Sequence, residues 1–259
     1  MFAHSRHQAI VDYLRDQPKA SVHELEVALA VSPATLRRDL AELEAAGAVV
    51  RTRGGVAHPS LFRGESSFSQ RGRIQIAAKR SLAETAARLV PAGGTVFVDA
   101  GSTCFEVGHR LLPRPGLTII THSLPLALAA TPAGARVICL GGEVRAVSGA
   151  AVGAFALAWL ENLHADWAFL GASGLDPNEG PSTTELAEAG VKGALIRRST
   201  HPVLVADTSK WLRPAVVRFA AWHEFEHFVT GPDPDTEGAG LHHAVRARAP
   251  DLLIHIVAD

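Results

Sequence analysis

The chain has 259 residues, 47% of them hydrophobic and 20% charged, which is the composition of a globular protein with a sizeable core. Its formal net charge of -1 excludes a polycation, so any nucleic-acid contact must come from a local basic cluster. Only two cysteines occur, Cys104 and Cys139, which excludes a disulfide framework. Both are expected to be buried thiols. The chain also shows no signal-peptide-like start and no apolar run that could span a bilayer, so we expect a cytoplasmic protein.

Two short helices are predicted at the start of the chain. Ile10 and Leu14 lie on one side of a helix over residues 6–15, which ends before a proline. Ser21 and Glu24 have the spacing of a capping box, in which each side chain accepts a backbone N–H near the other. This spacing predicts the start of a second helix.

A third helix is predicted over residues 31–47, VSPATLRRDLAELEAAG. A serine before a proline is a typical helix start, and Leu36, Leu40 and Leu43 recur at helical spacing to define a buried face. The opposite face is polar and basic. Two helices, a turn and a third helix with outward arginines form the helix-turn-helix arrangement, so this helix is predicted to read DNA. Its predicted contacts are Ser32, Thr35, Arg37 and Arg38.

The residues after this helix, AVVRTRGGVA, predict a small hairpin or wing. Arg51 and Arg53 are two apart and would share one face of a strand, where they could bind phosphates or reach into a minor groove. Residues 58–73 are rich in serine, glycine, proline and charge, which is typical of a linker. We therefore expect a DNA-binding domain over residues 1–57 and a second domain over residues 74–259.

In the second domain, segments with helical periodicity alternate with short apolar runs. A run ends at Asp99, and others are LTII at 117–120, VICL at 137–140, WAFL at 167–170, VLVA at 203–206, HFVT at 227–230 and LLIHIV at 252–257. Continuous apolar runs suit strands that are covered on both faces. The predicted fold is therefore α/β, with a mainly parallel sheet flanked by helices.

Ligands of open parallel sheets bind beyond the carboxyl ends of the strands, and these ends carry small and polar residues here. They are residues 99–103, DAGST, residues 121–123, THS, residues 141–143, GGE, residues 171–174, GASG, and residues 207–210, DTSK. The first leads into a helix, whose N-terminus would favour an anion, although an ordinary capped helix start has the same pattern. Asp99 could bind sugar hydroxyls or cap the helix, His122 could bind an anion or pack at a loop edge, and Lys210 could neutralise a phosphate or remain solvated.

Residues 223–227, HEFEH, match the HExxH pattern of zinc proteases. The second histidine runs directly into a strand-like FVT, no helix of adequate length surrounds the pair, and no third ligand is evident. We expect an exposed loop before an edge strand, and we expect the neighbouring pair His242 and His243 at the surface. No catalytic residue, metal or cofactor is predicted.

Taken together, these motifs resemble the DeoR family of bacterial transcriptional regulators over nearly the whole chain. The first part is VSPATLRRDLAELEAAGAVVRTRGGVA, with the Arg-Arg-Asp-Leu core of a recognition helix and the Gly-Gly of a wing. The second comprises VFVDAGSTC, ITHS, LGGEVR, ADWAFLGASGL and VADTSKW. Ser102 stands where the family usually has threonine, which keeps a hydroxyl. His122 stands where the family has asparagine and Pro181-Ser182 where Leu-Thr is common, and these two departures indicate a different effector or a site that has drifted.

The resemblance implies a winged helix-turn-helix domain joined to a sensor domain similar to the ribose-phosphate isomerase and aminosugar-phosphate deaminase folds. Such proteins repress genes of sugar or related catabolism, act as homodimers or higher homo-oligomers, and release operator DNA when a phosphorylated sugar or related metabolite binds. The alternative is an active sugar-phosphate isomerase or deaminase with a DNA-binding appendage. The effector would be surrounded by Asp99, Gly101, Ser102, Thr103, Thr121, His122, Ser123, Gly141, Gly142, Glu188 and Lys210, with Lys192 on the helix that carries Glu188.

Overall fold

The structure is a computed structural model that describes residues 3–17, 19–45, 48–52, 55–57, 66–233 and 240–258. It divides into two compact units, Met1–Ser66 and Ser67–Asp259. The division falls inside the predicted linker.

The first unit combines three helices with a small antiparallel sheet of strand order β1-β3-β2. Its elements are α1 (Ala3–Asp16), β1 (Lys19–Ser21), α2 (Val22–Leu29), α3 (Pro33–Ala45), β2 (Val50–Thr52) and β3 (Gly55–Ala57). Leu25 and the leucines of α3 form its core with Ile10 and Leu14. The three predicted helices, the capping box at Ser21 and the hairpin are therefore confirmed. The sequence reading missed β1, which extends the hairpin to three strands.

The second unit is built on a seven-stranded parallel sheet of order β15-β14-β12-β9-β4-β5-β6. Every strand predicted from an apolar run is present in it. The strands are β4 (Gly94–Val98), β5 (Leu117–Thr121), β6 (Arg136–Cys139), β9 (Ala165–Leu170), β12 (Ser199–Val205), β14 (His227–Thr230) and β15 (Leu253–Ile256).

Helices cover both faces of this sheet, as the continuous apolar runs require. They are α4 (Phe68–Arg73), α5 (Ile76–Leu89), α6 (Ser102–Leu111), α7 (Leu124–Leu128), α8 (Ala154–Glu161), α9 (Leu186–Arg197) and α10 (Leu241–Arg248). Alternate residues of one strand point into different cores: Val96 and Val98 pack with α5 and α6, whereas Phe97 packs with α8, α9 and α10. Among the described helices, none has both the length and the apolar character of a membrane span.

Two small antiparallel sheets, which the sequence did not predict, lie outside the main sheet. One is a hairpin of β7 (Glu143–Arg145) and β8 (Ala150–Val152), and the other consists of β10 (Gly174–Asp176), β11 (Gly180–Thr183) and β13 (Val217–Arg218). The departure at Pro181 and Ser182 lies in β11, where the Ser182 hydroxyl donates to Gly174 O (3.1 Å) and accepts from Ala215 N (2.8 Å). That hydroxyl is used within the chain.

Part of the predicted linker is helical, because α4 occupies Phe68–Arg73. Residues 58–65 of the predicted linker lie outside the described residues. Ser67 begins α4 through a capping box, accepting from Gln70 N (3.3 Å) while its own N–H donates to the Gln70 side chain (3.0 Å). The S-x-x-Q spacing was a usable signal for this helix start. The helix was not predicted, because six residues are too few to show a helical period and the composition of the segment is typical of a linker.

Two predictions about single side chains are wrong. Cys104 is buried, as expected, but Cys139 is exposed at the end of the edge strand β6. His242 was expected at the surface and instead is 5% exposed, with its ring near that of Trp211. A cysteine or histidine on a short element gives no periodic signal that distinguishes inside from outside.

Histidines cluster on one face of the sheet. His227 Nδ1 lies 3.0 Å from His255 Nε2, so one ring donates to the other. Trp167 stacks near His201 and His227, and the Glu226 carboxylate faces both of these histidines. Burial lowers the pKa of His227 and of His255, although Glu226 opposes this effect at His227.

Candidate nucleic-acid interface and effector site

The polar face of α3 has the geometry that its sequence predicts. Ser32 opens the helix by accepting from Thr35 N (3.3 Å), and the two hydroxyls are 2.9 Å apart. Arg37 and Arg38 are exposed, while Thr35 is half-buried beside them. The helix therefore presents two guanidinium groups and two hydroxyls to solvent.

Asp39, in the middle of the Arg-Arg-Asp-Leu segment, points inward. Arg6 of α1 donates to it in bidentate fashion, through Nε (2.8 Å) and Nη2 (2.9 Å), and His7 Nε2 lies 3.2 Å from its Oδ1. The Arg6 hydrogen bond lowers the pKa of Asp39. This contact fixes α3 against α1, and it was not predicted because the partners are 33 residues apart.

The wing places Arg51 as predicted, exposed on β2 and opposite Val56 of β3. Its backbone N–H donates to the Glu44 side chain at the end of α3 (3.4 Å). Arg53 lies outside the described residues, so its proposed contact with DNA stays a prediction.

In the second unit, Asp99 lies at the centre of the strand ends and is completely buried. Its Oδ2 accepts from the Lys192 ammonium and from Gly171 N (3.0 Å), and its Oδ1 lies 2.9 Å from His122 Nε2. Lys192 Nζ also donates to Gly171 O (3.0 Å) and lies over the Phe219 ring. Asp99 thus connects the ends of β4, β5 and β9 with α9.

The charges of Asp99 and Lys192 stabilise each other. Burial is the strongest single influence on the pKa of Asp99 and would raise it, but Lys192 and His122 together outweigh burial and the net pKa is lowered. Burial is likewise the strongest single influence on the pKa of Lys192 and would lower it, but Asp99, Cys104 and Glu188 together give a net increase. Both groups are therefore charged at neutral pH, in an environment where either charge alone would be strongly disfavoured.

Both ring nitrogens of His122 are engaged inside the chain. Nδ1 donates to Ala151 O (3.0 Å), because a carbonyl oxygen can only accept. Nε2 lies 2.9 Å from both Ala100 N and Asp99 Oδ1, so it accepts from the former when neutral and donates to the latter when protonated. The histidine that replaces the family's asparagine therefore connects the ends of β4 and β5 to β8.

Two other predicted residues also use their polar atoms within the fold. The Thr121 hydroxyl donates to Val98 O (2.6 Å) and accepts from Ser123 N (3.0 Å). The Ser123 hydroxyl caps α7 by accepting from Leu126 N (3.4 Å). These contacts hold the β5 end in place.

The N-terminus of α6 is different, because its polar groups have no partner among the described residues. Gly101 has φ of +131°, a conformation that side-chain-bearing residues rarely adopt, and the glycine turns the chain from β4 into the helix. Phe105 N is the first amide to bond back, to Gly101 O (2.9 Å). The N–H groups of Ser102, Thr103 and Cys104 thus lack an intrahelical acceptor, and neither hydroxyl of the pair Ser102 and Thr103 is hydrogen-bonded in the described chain.

The β7–β8 hairpin brings an arginine to α9. Arg145 Nη1 donates to Glu188 Oε1 (3.1 Å), and Thr183 Oγ1 donates to Glu188 Oε2 (3.3 Å). Gly141 and Gly142 precede the hairpin and are exposed. Arg145 was not among the predicted effector contacts, although it is the arginine of the LGGEVR segment.

Lys210 is not brought to Asp99. It ends a 3₁₀ turn, Thr208–Lys210, and in the described residues it forms no hydrogen bond with Asp99 or its partners. A separate cavity of about 110 Å³ lies nearby, lined by Gln75, Ser81, Asp207, Thr208 and Gly231 among others. Lys210 lies near this cavity, beside the buried Lys79. Burial lowers the pKa of Lys79.

Residues 223–227 do not form the helix that an HExxH zinc site needs. His223 lies in the 3₁₀ turn Trp222–Glu224, and His227 is the first residue of β14. The expected exposed loop before an edge strand is wrong, because β14 lies between β15 and β12 and His227 is buried. Within the described part of the chain, no three histidine, cysteine, aspartate or glutamate side chains are grouped as a metal would require.

Comparison with known proteins agrees with both units. Residues 6–61 match the DeoR-like helix-turn-helix domain, and residues 74–232 match the DeoR C terminal sensor domain. The chain belongs to the DeoR family of transcriptional regulators. It is 34% identical to the HTH-type transcriptional regulator GlpR of Haloferax volcanii over 92% of this chain and 93% of that protein. It is also 34% identical to the Glycerol-3-phosphate regulon repressor of Escherichia coli, over 83% and 86%.

Among solved structures, this DeoR-family chain is similar to ribose 5 phosphate isomerase A from Neisseria gonorrhoeae. The two are 19% identical with a TM-score of 0.40, and the match covers 57% of this chain and 56% of that one.

Proposed function

We propose that the chain represses a sugar or polyol catabolic operon in the cytoplasm by binding its operator as a homo-oligomer, and that a small phosphorylated metabolite releases it. The observation that carries the proposal is the polar face of α3, where Arg37 and Arg38 are exposed while the leucines of the same helix are buried. In a helix-turn-helix this face enters the major groove. Arg51 on the wing would contact the DNA backbone.

The effector would bind with its phosphate at the N-terminus of α6. Free N–H groups, the helix dipole and the hydroxyls of Ser102 and Thr103 all favour an anion there. Asp99, Thr121 and His122 would then act as positioning residues, because their polar atoms already have partners. The relatives named as glycerol-3-phosphate regulon repressors make a three-carbon polyol phosphate the first effector to test.

The signal would leave the sensor unit through α4, the first helix of that unit. Phe68 N donates to Val147 O in the β7–β8 turn (2.7 Å), and the Phe68 ring lies edge-on to Phe105 of α6 at 5.6 Å. Thus α4 contacts both the helix that would hold the phosphate and the hairpin that carries Arg145. An effector that binds more tightly to one arrangement of these elements shifts the equilibrium toward that arrangement, and the difference in affinity sets the size of the shift. The position of α4 would change with it.

DNA retention by the full chain tests the DNA-binding half of the proposal. Arg37→Ala/Arg38→Ala should abolish retention of intergenic DNA from beside the gene in a gel-shift assay. The matched control is Arg80→Ala/Arg88→Ala, which removes the same charge from exposed positions of α5. Equal retention by both variants would refute the assignment of α3 as the recognition helix.

Effector binding is tested by thermal shift of the purified chain with glycerol 3-phosphate, ribose 5-phosphate and fructose 6-phosphate. A specific ligand raises the melting temperature with concentration. Ser102→Ala/Thr103→Ala should weaken the shift, and a variant that responds like the natural chain would place the phosphate elsewhere.

The enzyme alternative has one observation in its favour, the buried acid and base groups around Asp99. However, the Lys192 ammonium is held by Asp99 and Gly171 O. We therefore propose binding without turnover. Conversion of ribose 5-phosphate or glucosamine 6-phosphate by the purified chain would reverse this choice.

A further inference from the structure

The outer face of α8 is unusual for a surface helix. Phe155 is 77% exposed and Trp159 is 61% exposed, and their i, i+4 spacing places them side by side on one stripe. The exposed positions beside them are Ala154 and Ala158. The opposite face is the ordinary buried one, with Ala156 and Leu160 in the core.

Two other helices that cover the sheet, α5 and α10, carry charge on their solvent faces. The exposed face of α5 contains Arg80, Glu84 and Arg88, and that of α10 contains Arg246 and Arg248. By contrast, α8 has no charged residue before its last, Glu161. Depletion of charge together with exposed tryptophan and phenylalanine is the composition of an interface core.

We propose that this face of α8, defined by Phe155 and Trp159, is the surface through which two copies of the chain associate. A two-fold interface pairs the same patch of both copies, so a face of one charge repels its counterpart whereas a neutral apolar face is self-complementary. The two rings would supply roughly 300 Å² per copy, against about 800 Å² per partner in a standard interface. They would form the centre of the interface, and the surrounding residues would complete it.

A second copy is the occupant that the proposed function requires. A helix-turn-helix reads paired half-sites through a two-fold dimer, so the inference rests on the proposed function. The position of α8 also suits regulation, because Leu157 faces Gly190 of α9, the helix that carries Glu188 and Lys192. Effector binding that moves α9 would be transmitted to the dimer interface.

Sedimentation equilibrium of the full chain, without DNA or effector, tests the proposal. The natural chain should be dimeric or larger, and Phe155→Ser/Trp159→Ser should associate at least about tenfold more weakly, as expected for loss of interface hot spots. The control, Leu212→Ser/Val216→Ser, removes two comparably exposed apolar side chains elsewhere and should associate normally. A monomeric natural chain, or unchanged association of the α8 variant, would overturn the proposal.

A crosslinking measurement keeps the proposal testable if the α8 variant does not fold. Ala158→Cys, in a Cys139→Ser background, should give a covalent dimer with a short bis-maleimide, because Cys104 is buried and the introduced thiols would face each other. A dimeric chain that does not crosslink would place the interface elsewhere. That result would leave the recognition-helix and thermal-shift tests untouched, so the two proposals can fail separately.

Discussion

Removal of the Lys192 charge should destabilise the sensor unit in a way that depends on pH. In Lys192→Met the Asp99 carboxylate, which is completely buried, keeps the hydrogen bond from Gly171 N but loses the one from the ammonium, together with its counter-charge. Loss of one partner of a buried ion pair typically costs about 3–5 kcal/mol. The carboxyl can escape this cost by taking up a proton, which at pH 7 requires about 4 kcal/mol for a group with a reference pKa near 3.9. We therefore expect a loss of roughly 3–4 kcal/mol at pH 7.

The pH dependence separates this effect from simple loss of packing. In the natural chain the pKa of Asp99 is lowered, so its contribution is present above the unfolded pKa and is lost only as pH falls below it. In the variant, burial without the ammonium raises the pKa of Asp99, and the folded state gains stability as pH falls. At pH 5 the proton costs only about 1.5 kcal/mol, so the difference between the two chains should shrink to about that value.

Tryptophan fluorescence during guanidinium unfolding is the assay, because all four tryptophans lie between residues 159 and 222, in the sensor unit. The double variant Asp99→Asn/Lys192→Met removes both charges and should recover more than half of the loss. A loss below about 1 kcal/mol at pH 7, or a loss that is equal at pH 7 and pH 5, would refute the assignment of a charged, mutually stabilised pair.

Three further predictions follow from individual contacts. Asp39→Ala should destabilise the first unit by about 1.5–3 kcal/mol, because it removes hydrogen bonds from the charged Arg6. Amide hydrogen exchange of residues 3–45 should therefore become faster, and unchanged exchange would contradict this. Burial lowers the pKa of His227 and His255, so stability should fall as pH drops through about 6.5, and His255→Gln should flatten that dependence in unfolding midpoints at pH 7.5 and 5.5. An equally steep dependence in His255→Gln would exclude the pair as its source. Phe68→Ala should leave the effector-induced thermal shift intact but require more effector to release DNA, and normal release would exclude α4 as the route.

Much of the fold could be predicted because its signals are local. Leu36 and Leu40 at helical spacing, Ser32 before a proline, and the continuous apolar runs of the strands each depend on residues close together in sequence. Short elements escaped for the same reason. The strand β1 and the β7–β8 hairpin have three residues per strand, too few to establish a period of two.

The candidate site was predictable in position and less so in role. The rule that ligands bind beyond the carboxyl ends of parallel strands led to Asp99, Thr121 and His122, which the fold does bring together. Lys210 satisfied the same rule but lies near Lys79 of α5, because β9 separates β12 from β4 in the sheet. Strand order decides which ends are neighbours, and no single strand encodes its neighbours.

The sequence by itself determined the elements and the face of α3 that carries Arg37 and Arg38, since helical periodicity is a property of one segment. Tertiary structure decided the partners. Only the folded chain joins Asp39 to Arg6 and Asp99 to Lys192, residues 33 and 93 positions apart, and so reveals that these carboxylates hold the structure together. A charged side chain has the same local pattern whether it is solvated or paired, and long-range packing chooses between the two.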